Sequence, residues 1–122
     1  MPRPIRIQIE GGHYHLYNRF VGGEPFFRRD ADVLLFSKII SEEAVKKNIR
    51  ILNLCCMSNH FHTVIRTEKE NLSTFLQAYG TKFAREMNRN LKRSGHLFQG
   101  RHKTRLITDE RHLATAVAYA FL

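Results

Sequence analysis

Acidic residues are scarce in this chain of 122 residues: 11 Asp and Glu stand against 20 Lys and Arg, giving a net charge of +9. A field of that sign attracts polyanions, and nucleic acid is the commonest of them. Charge alone leaves an anionic membrane surface, or a merely basic soluble surface, as other readings. Cysteine is nearly absent. The only two, Cys55 and Cys56, are sequence neighbours, a poor geometry for bridging each other, which argues against a disulfide framework. No apolar run is long enough to span a bilayer, and the opening Met1-Pro2-Arg3-Pro4 lacks the apolar stretch of a signal peptide. These absences predict a soluble cytoplasmic protein, nucleoid-associated if its partner is DNA, without a membrane partner. Repeats, low-complexity tracts and long linkers are missing too, so residues 1–122 are expected to form one domain.

What is present suffices for a core: 43% of residues are hydrophobic and 9 are phenylalanine. After the Gly11-Gly12 break, residues 13–19 read as a first strand. Leu35, Phe36, Ile39, Ile40 and Ala44 recur at helical spacing between Asp30 and Lys47, with Asp30 as the expected N-cap. Residues 50–57 and His60 to Arg66 predict a hairpin turning at Ser58-Asn59. A second helix is expected from Leu72 to Leu91, its apolar stripe formed by Leu72, Phe75, Leu76, Tyr79, Phe83 and Met87, and Ser94-Gly95 ending it. A short strand near Arg101 to Ile107 follows. A last helix, capped by Thr108, runs to the apolar Phe121-Leu122, an ending that predicts continuation of that helix. The order strand, helix, hairpin, helix, strand, helix argues for an α+β fold, an antiparallel sheet with helices mainly on one face.

The cations are not evenly spread. Lys82, Arg85, Arg89, Lys92, Arg93, Arg101, Lys103 and Arg105 are opposed between residues 82 and 105 only by Glu86. Such clustering fits phosphate binding better than solubilising charge does, and these eight are the expected DNA-binding residues. His96 and Phe98 are candidates for base stacking, with a core role equally open for Phe98.

His60-Phe61-His62 is the constellation that carries chemistry. Side chains alternate along a strand, so the two imidazoles share one side and can chelate one divalent ion, leaving positions for substrate oxygens. His13-Tyr14-His15 has the same spacing, and spacing does not separate the pairs. The second pair differs in following a hairpin turn. Among the tyrosines, Tyr14 and Tyr17 are an odd number apart and should point to opposite faces. Tyr79 falls within an apolar stripe. Tyr119 shares a helix flank with His112 and Thr115, next to the apolar Leu113, Ala116, Val117 and Ala120, so residue pattern alone fits a half-buried packing tyrosine or an accessible phenol.

The stretch MSNHFHTVI, residues 57–65, resembles the His-hydrophobic-His motif of single-tyrosine transposases, in which Pro usually stands where this chain has Ser58. Three more segments extend the resemblance over nearly the whole chain, in order: RIQIEGGHYHLYNR, SGHLFQGRHK and LITDERHLATAVAYAFL. The branch most similar is that of the REP-associated tyrosine transposases. The resemblance implies a ferredoxin-like sandwich fold, with His60 and His62 as the metal pair and Tyr119 as the catalytic nucleophile. It also implies a divalent cation, Mg²⁺ or Mn²⁺, as cofactor and single-stranded or hairpin DNA as partner. The implied activity is metal-assisted cleavage and rejoining of single-stranded DNA through a 5′-phosphotyrosine. The resemblance is compatible with a homodimer as well as a monomer. Family members with a third metal ligand carry it about one helical turn beyond the position of Tyr119. Two other readings remain open at this point: a non-catalytic nucleic-acid-binding remnant of such a transposase, and a metal-dependent hydrolase whose histidines activate water.

Overall fold

The computed structural model describes residues 11–69 and 71–107. Within them the chain runs β1 (His13–Arg19), α1 (Asp30–Lys46), β2 (Ile49–Cys56), β3 (His60–Thr67), α2 (Leu72–Leu91) and β4 (Lys103–Ile107). The four strands form one sheet in the order β2-β3-β1-β4, and every neighbouring pair is antiparallel. This is the expected α+β architecture, in the strand order of a ferredoxin-like sandwich. The predicted last helix, from Thr108 onward, lies outside the described residues.

Strict alternation makes β1 two-sided. Tyr14, Leu16 and Asn18 are buried while His13, His15 and Tyr17 are half-buried. The buried set faces the helices, as Tyr14 and Tyr17 were expected to divide. On β3 the corresponding inward residue is Phe61. Its ring centroid lies 4.8 Å from Phe36 of α1 and 6.2 Å from Tyr79 of α2. Phe20, Phe27 and Phe83 complete an aromatic cluster in edge-on and tilted pairs at 4.8 to 6.4 Å. Such contacts join the helices to one face of the sheet, and leave His60 and His62 on the other.

α2 keeps its predicted limits because all six residues of its stripe are buried. Its stop differs from expectation. The chain turns at Lys92, in the left-handed conformation at φ 52°, two residues before Ser94-Gly95. Asn88 supplies the reason: its carbonyl accepts from the Arg93 N–H at 2.9 Å, and its side chain donates to the Gly95 carbonyl at 3.0 Å. The start of α1 is also corrected. Arg29, not Asp30, is the N-cap residue; the Asp32 carboxylate accepts from the Arg29 backbone N–H and guanidinium, both at 3.1 Å. The strand expected from Arg101 begins at Lys103, since His102 turns towards the core and packs 5.1 Å from Tyr79.

A bulge fixes the register of the hairpin. The β2–β3 pairing shifts between Ile51 and Asn53, leaving Leu52 partly exposed. Buried Asn53 pins the shift, its side-chain oxygen accepting from the Val64 N–H at 2.9 Å and its carbonyl from the Thr63 hydroxyl at 2.6 Å. Beyond the bulge, Cys55 stands opposite His62 and Cys56 opposite Phe61.

Candidate metal and nucleic-acid site

The second face of the sheet is built by two inner strands in tight register. Tyr17 stands opposite His62 and Arg19 opposite His60. Directly opposed residues of antiparallel strands point to the same face. The odd-numbered residues of β1 therefore join His60 and His62 on one surface. Ring centroids of His60 and His62 lie 5.1 Å apart, with planes nearly perpendicular at 88°. Tyr17 packs 4.9 Å from His62 and 5.6 Å from His60. His15 stacks on His62 at 5.3 Å, and their facing nitrogens, His15 Nε2 and His62 Nδ1, are 3.2 Å apart. His60 Nδ1 meets the Asn59 side-chain oxygen at 2.7 Å.

Both candidate ligands favour the neutral form. Burial, and then the Arg19 guanidinium, pull His60 below its ordinary value. Burial, helped by His15 and His60, pulls His62 down to about 4. Near neutral pH each ring therefore keeps a lone pair that a cation can accept. Two neutral imidazoles on one rigid strand can hold a divalent ion, and of the two implied cations they suit Mn²⁺ better than Mg²⁺, so the pair fits the implied cofactor. Among the described residues no group of three or more His, Cys, Asp or Glu side chains is gathered to hold a metal ion. A cation held by His60 and His62 would keep positions for substrate oxygens and water. Cys56, opposite Phe61 and packed against the core on the helical side of the sheet, is inert by contrast. Burial, and then Cys55, push Cys56 up to about 12.

The structure divides the eight expected DNA-binding cations. Lys103 and Arg105 are exposed on the histidine face, opposite Tyr17 and His15, and the Lys103 ammonium sits 5.9 Å from the Tyr17 ring centre. The α2 cations belong to the helical layer behind the sheet. There Lys82 bridges to Glu43 at 3.6 Å and to Glu42 at 4.0 Å, and Arg89 pairs with Glu86 at 3.4 Å. Arg85 and Lys92 are exposed on that layer. Arg93 is a brace rather than a free cation: it donates to Asn88 Oδ1 at 2.6 Å and to the His96 carbonyl at 3.1 Å, and covers Phe26 at 5.0 Å. Arg101, half-buried, lines a groove of about 530 Å³ with Gly80, Ala84 and exposed His96. Phe98 also borders it but stacks on Phe20 at 5.5 Å, which gives its ring to the core side. Tyr119 lies outside the described residues.

Four neighbours of the pair escaped the sequence reading: His15, Tyr17, Arg19 and Asn59. The shared odd numbering of the first three was visible, but which strand β1 pairs with, and in what register, was not. No helix among the described residues is long and apolar enough to cross a membrane.

Comparison with known proteins agrees with this geometry. A search of curated proteins finds no match. Among solved structures, a REP-associated tyrosine transposase bound to a REP hairpin superposes with a TM-score of 0.81 at 13% identity, over 99% of this chain and 71% of that one. A further transposase structure, from Deinococcus radiodurans R1 and assigned to that class by its description, gives 0.67 at 17% identity, over 97% and 95%. At such identities the likeness establishes the fold. The family is settled by the sequence itself: residues 8–120 match the family described as "Transposase IS200 like". The chain is therefore a member of the IS200-like transposase family.

Proposed function

We propose that this family member cleaves and rejoins single-stranded DNA through a covalent link to Tyr119, assisted by a divalent cation held on His60 and His62. The observation that supports it most is the adjacency of those two imidazoles, 5.1 Å apart on one strand, beside the exposed Lys103 and Arg105. A phenol with its ordinary pKa near 10 is a poor nucleophile at neutral pH, so the phosphate it attacks must be polarised. A cation bound to the pair supplies that polarisation. Lys103 and Arg105 hold the DNA backbone across the histidine face by charge. Tyr119 gives its oxygen to phosphorus and loses its proton; the bond to the 3′ oxygen breaks, and that oxygen leaves as a 3′-hydroxyl. Attack by a 3′-hydroxyl on the phosphotyrosine reverses the step and rejoins a strand without ATP. Hairpin DNA is the proposed partner, as in the complex formed by the structural relative.

The test is a covalent adduct that survives denaturation after incubation with hairpin DNA and Mn²⁺. Tyr119→Phe should fold, bind DNA and give no adduct. Tyr79→Phe, at a fully buried position, should still give it. Tyr17→Phe is the stricter control, since that phenol touches both histidines. An adduct lost only in Tyr17→Phe would move the nucleophile to β1, and no adduct in any form would leave a binding remnant.

A further inference from the structure

His60 and His62 differ in surroundings but share one feature: in each ring Nδ1 is already engaged, with Asn59 Oδ1 at 2.7 Å and with His15 Nε2 at 3.2 Å. A neutral imidazole carries one proton and one lone pair, so the bond made by one nitrogen decides what the other can do. The Asn59 oxygen can only accept. His60 Nδ1–H is therefore the donor, and the His60 lone pair lies on Nε2. The His15–His62 contact admits two directions, and only one gives His62 the same arrangement: His62 Nδ1–H donating to the His15 Nε2 lone pair. We propose that His15 and Asn59 are positioning residues that hold His62 and His60 in the Nδ1–H tautomer, so that both rings keep the Nε2 lone pair for one divalent cation. The proposal rests on the metal reading of the pair.

Placement favours this role for His15. It sits on β1, an inner strand bonded on both sides, two residues along the ladder from the Tyr17–His62 pair and on the same face. Its ring lies near-parallel to that of His62, with planes 12° apart, an orientation that limits rotation of the partner ring. Partners of this kind on the second nitrogen of a metal-binding histidine are worth about 10-fold to 100-fold in metal affinity.

The experiment reads tautomers directly in metal-free, ¹⁵N-labelled protein by long-range ¹H–¹⁵N correlation of the imidazoles, then titrates Mn²⁺. Wild type should show Nδ1–H at both His60 and His62. His15→Phe keeps a stacking ring but removes the acceptor; His62 should shift towards Nε2–H, His60 should stay, and Mn²⁺ affinity should fall about 10-fold or more. His15→Gln restores an acceptor oxygen and should recover both the His62 tautomer and most of the affinity. A purely packing role for His15 predicts the opposite ranking, with Phe tolerated better than Gln. Nε2–H at His62 in wild type, or an unchanged tautomer and affinity in His15→Phe, overturns the proposal. Nδ1–H at both rings with no Mn²⁺ binding at all removes instead the metal reading, and the role of His15 with it.

Discussion

Replacing Lys103 and Arg105 together with Ala separates the two basic surfaces more sharply than any other change. Both side chains are exposed, both lie on the histidine face, and they stand opposite Tyr17 and His15 on β1. Each phosphate contact on single-stranded DNA contributes about 0.7 to the slope of log affinity against log salt. Losing two contacts should therefore flatten the slope by about 1.4. Between 50 and 200 mM salt that corresponds to a loss of salt sensitivity of roughly 7-fold, well within reach of a fluorescence anisotropy titration. The paired control is Arg85→Ala with Arg89→Ala, on the helical layer, where Arg89 is already answered by Glu86 at 3.4 Å. If the strand crosses the histidine face, this second pair should change the slope by less than half as much. The reverse order, with α2 dominant and β4 silent, would refute the placement and put the DNA on the helices.

Phe61→Ala should cost about 3–5 kcal/mol of stability, because its fully buried ring packs on Phe36, Tyr79, Phe98 and His102; urea unfolding measures it, and a loss under about 1 kcal/mol would contradict this core. Asp32→Asn should cost about 1 kcal/mol at pH 7 through the weakened cap of α1. Burial raises the Asp32 carboxyl, but the hydrogen bonds and charge of Arg29 outweigh it, and the net shift is downward. A lowered folded value means that stability is present above the unfolded pKa, near 4, and is lost as pH falls through the folded one. The gap between wild type and Asp32→Asn should therefore close below about pH 4, and a gap that widens there would reverse the sign. Lys82→Ala should leave DNA affinity unchanged, as its ammonium is held by Glu42 and Glu43, and a weakening comparable to that of Lys103 and Arg105 would return it to the binding surface.

Local physics explains what was legible. The limits of β1 and α2 were readable because burial alternates by two along one and by helical turns along the other, and each period spans the whole element. The ends were less so. Arg29 displaced Asp30 as cap because the Asp32 carboxylate reaches back to it, and Lys92 stopped α2 because Asn88 ties down the chain beyond. Both outcomes depend on side-chain bonds that a list of favoured residue types does not contain. The bulge near Leu52 was equally hidden, since Asn53 is held in its buried place by Val64 and Thr63 on the neighbouring strand.

The site shows the same division between local and non-local information. Two histidines at a spacing of two share a face on any strand, so the pair could be read from its own three residues. What surrounds the pair comes from pairing across the sheet. His15 is 47 residues from His62 in sequence, and only the β1–β3 register brings them to 3.2 Å. A slip of one residue would send His15 and Tyr17 to the helical side and leave the pair without either. The basic cluster shows the converse: contiguity in sequence from Lys82 to Arg105 is divided in space by the sheet, with α2 behind it and the outward residues of β4 on the far face. Charge density along a chain thus points to a class of partner, whereas strand register decides which of those charges stand beside the histidine pair. In this chain the register gives that place to Lys103 and Arg105.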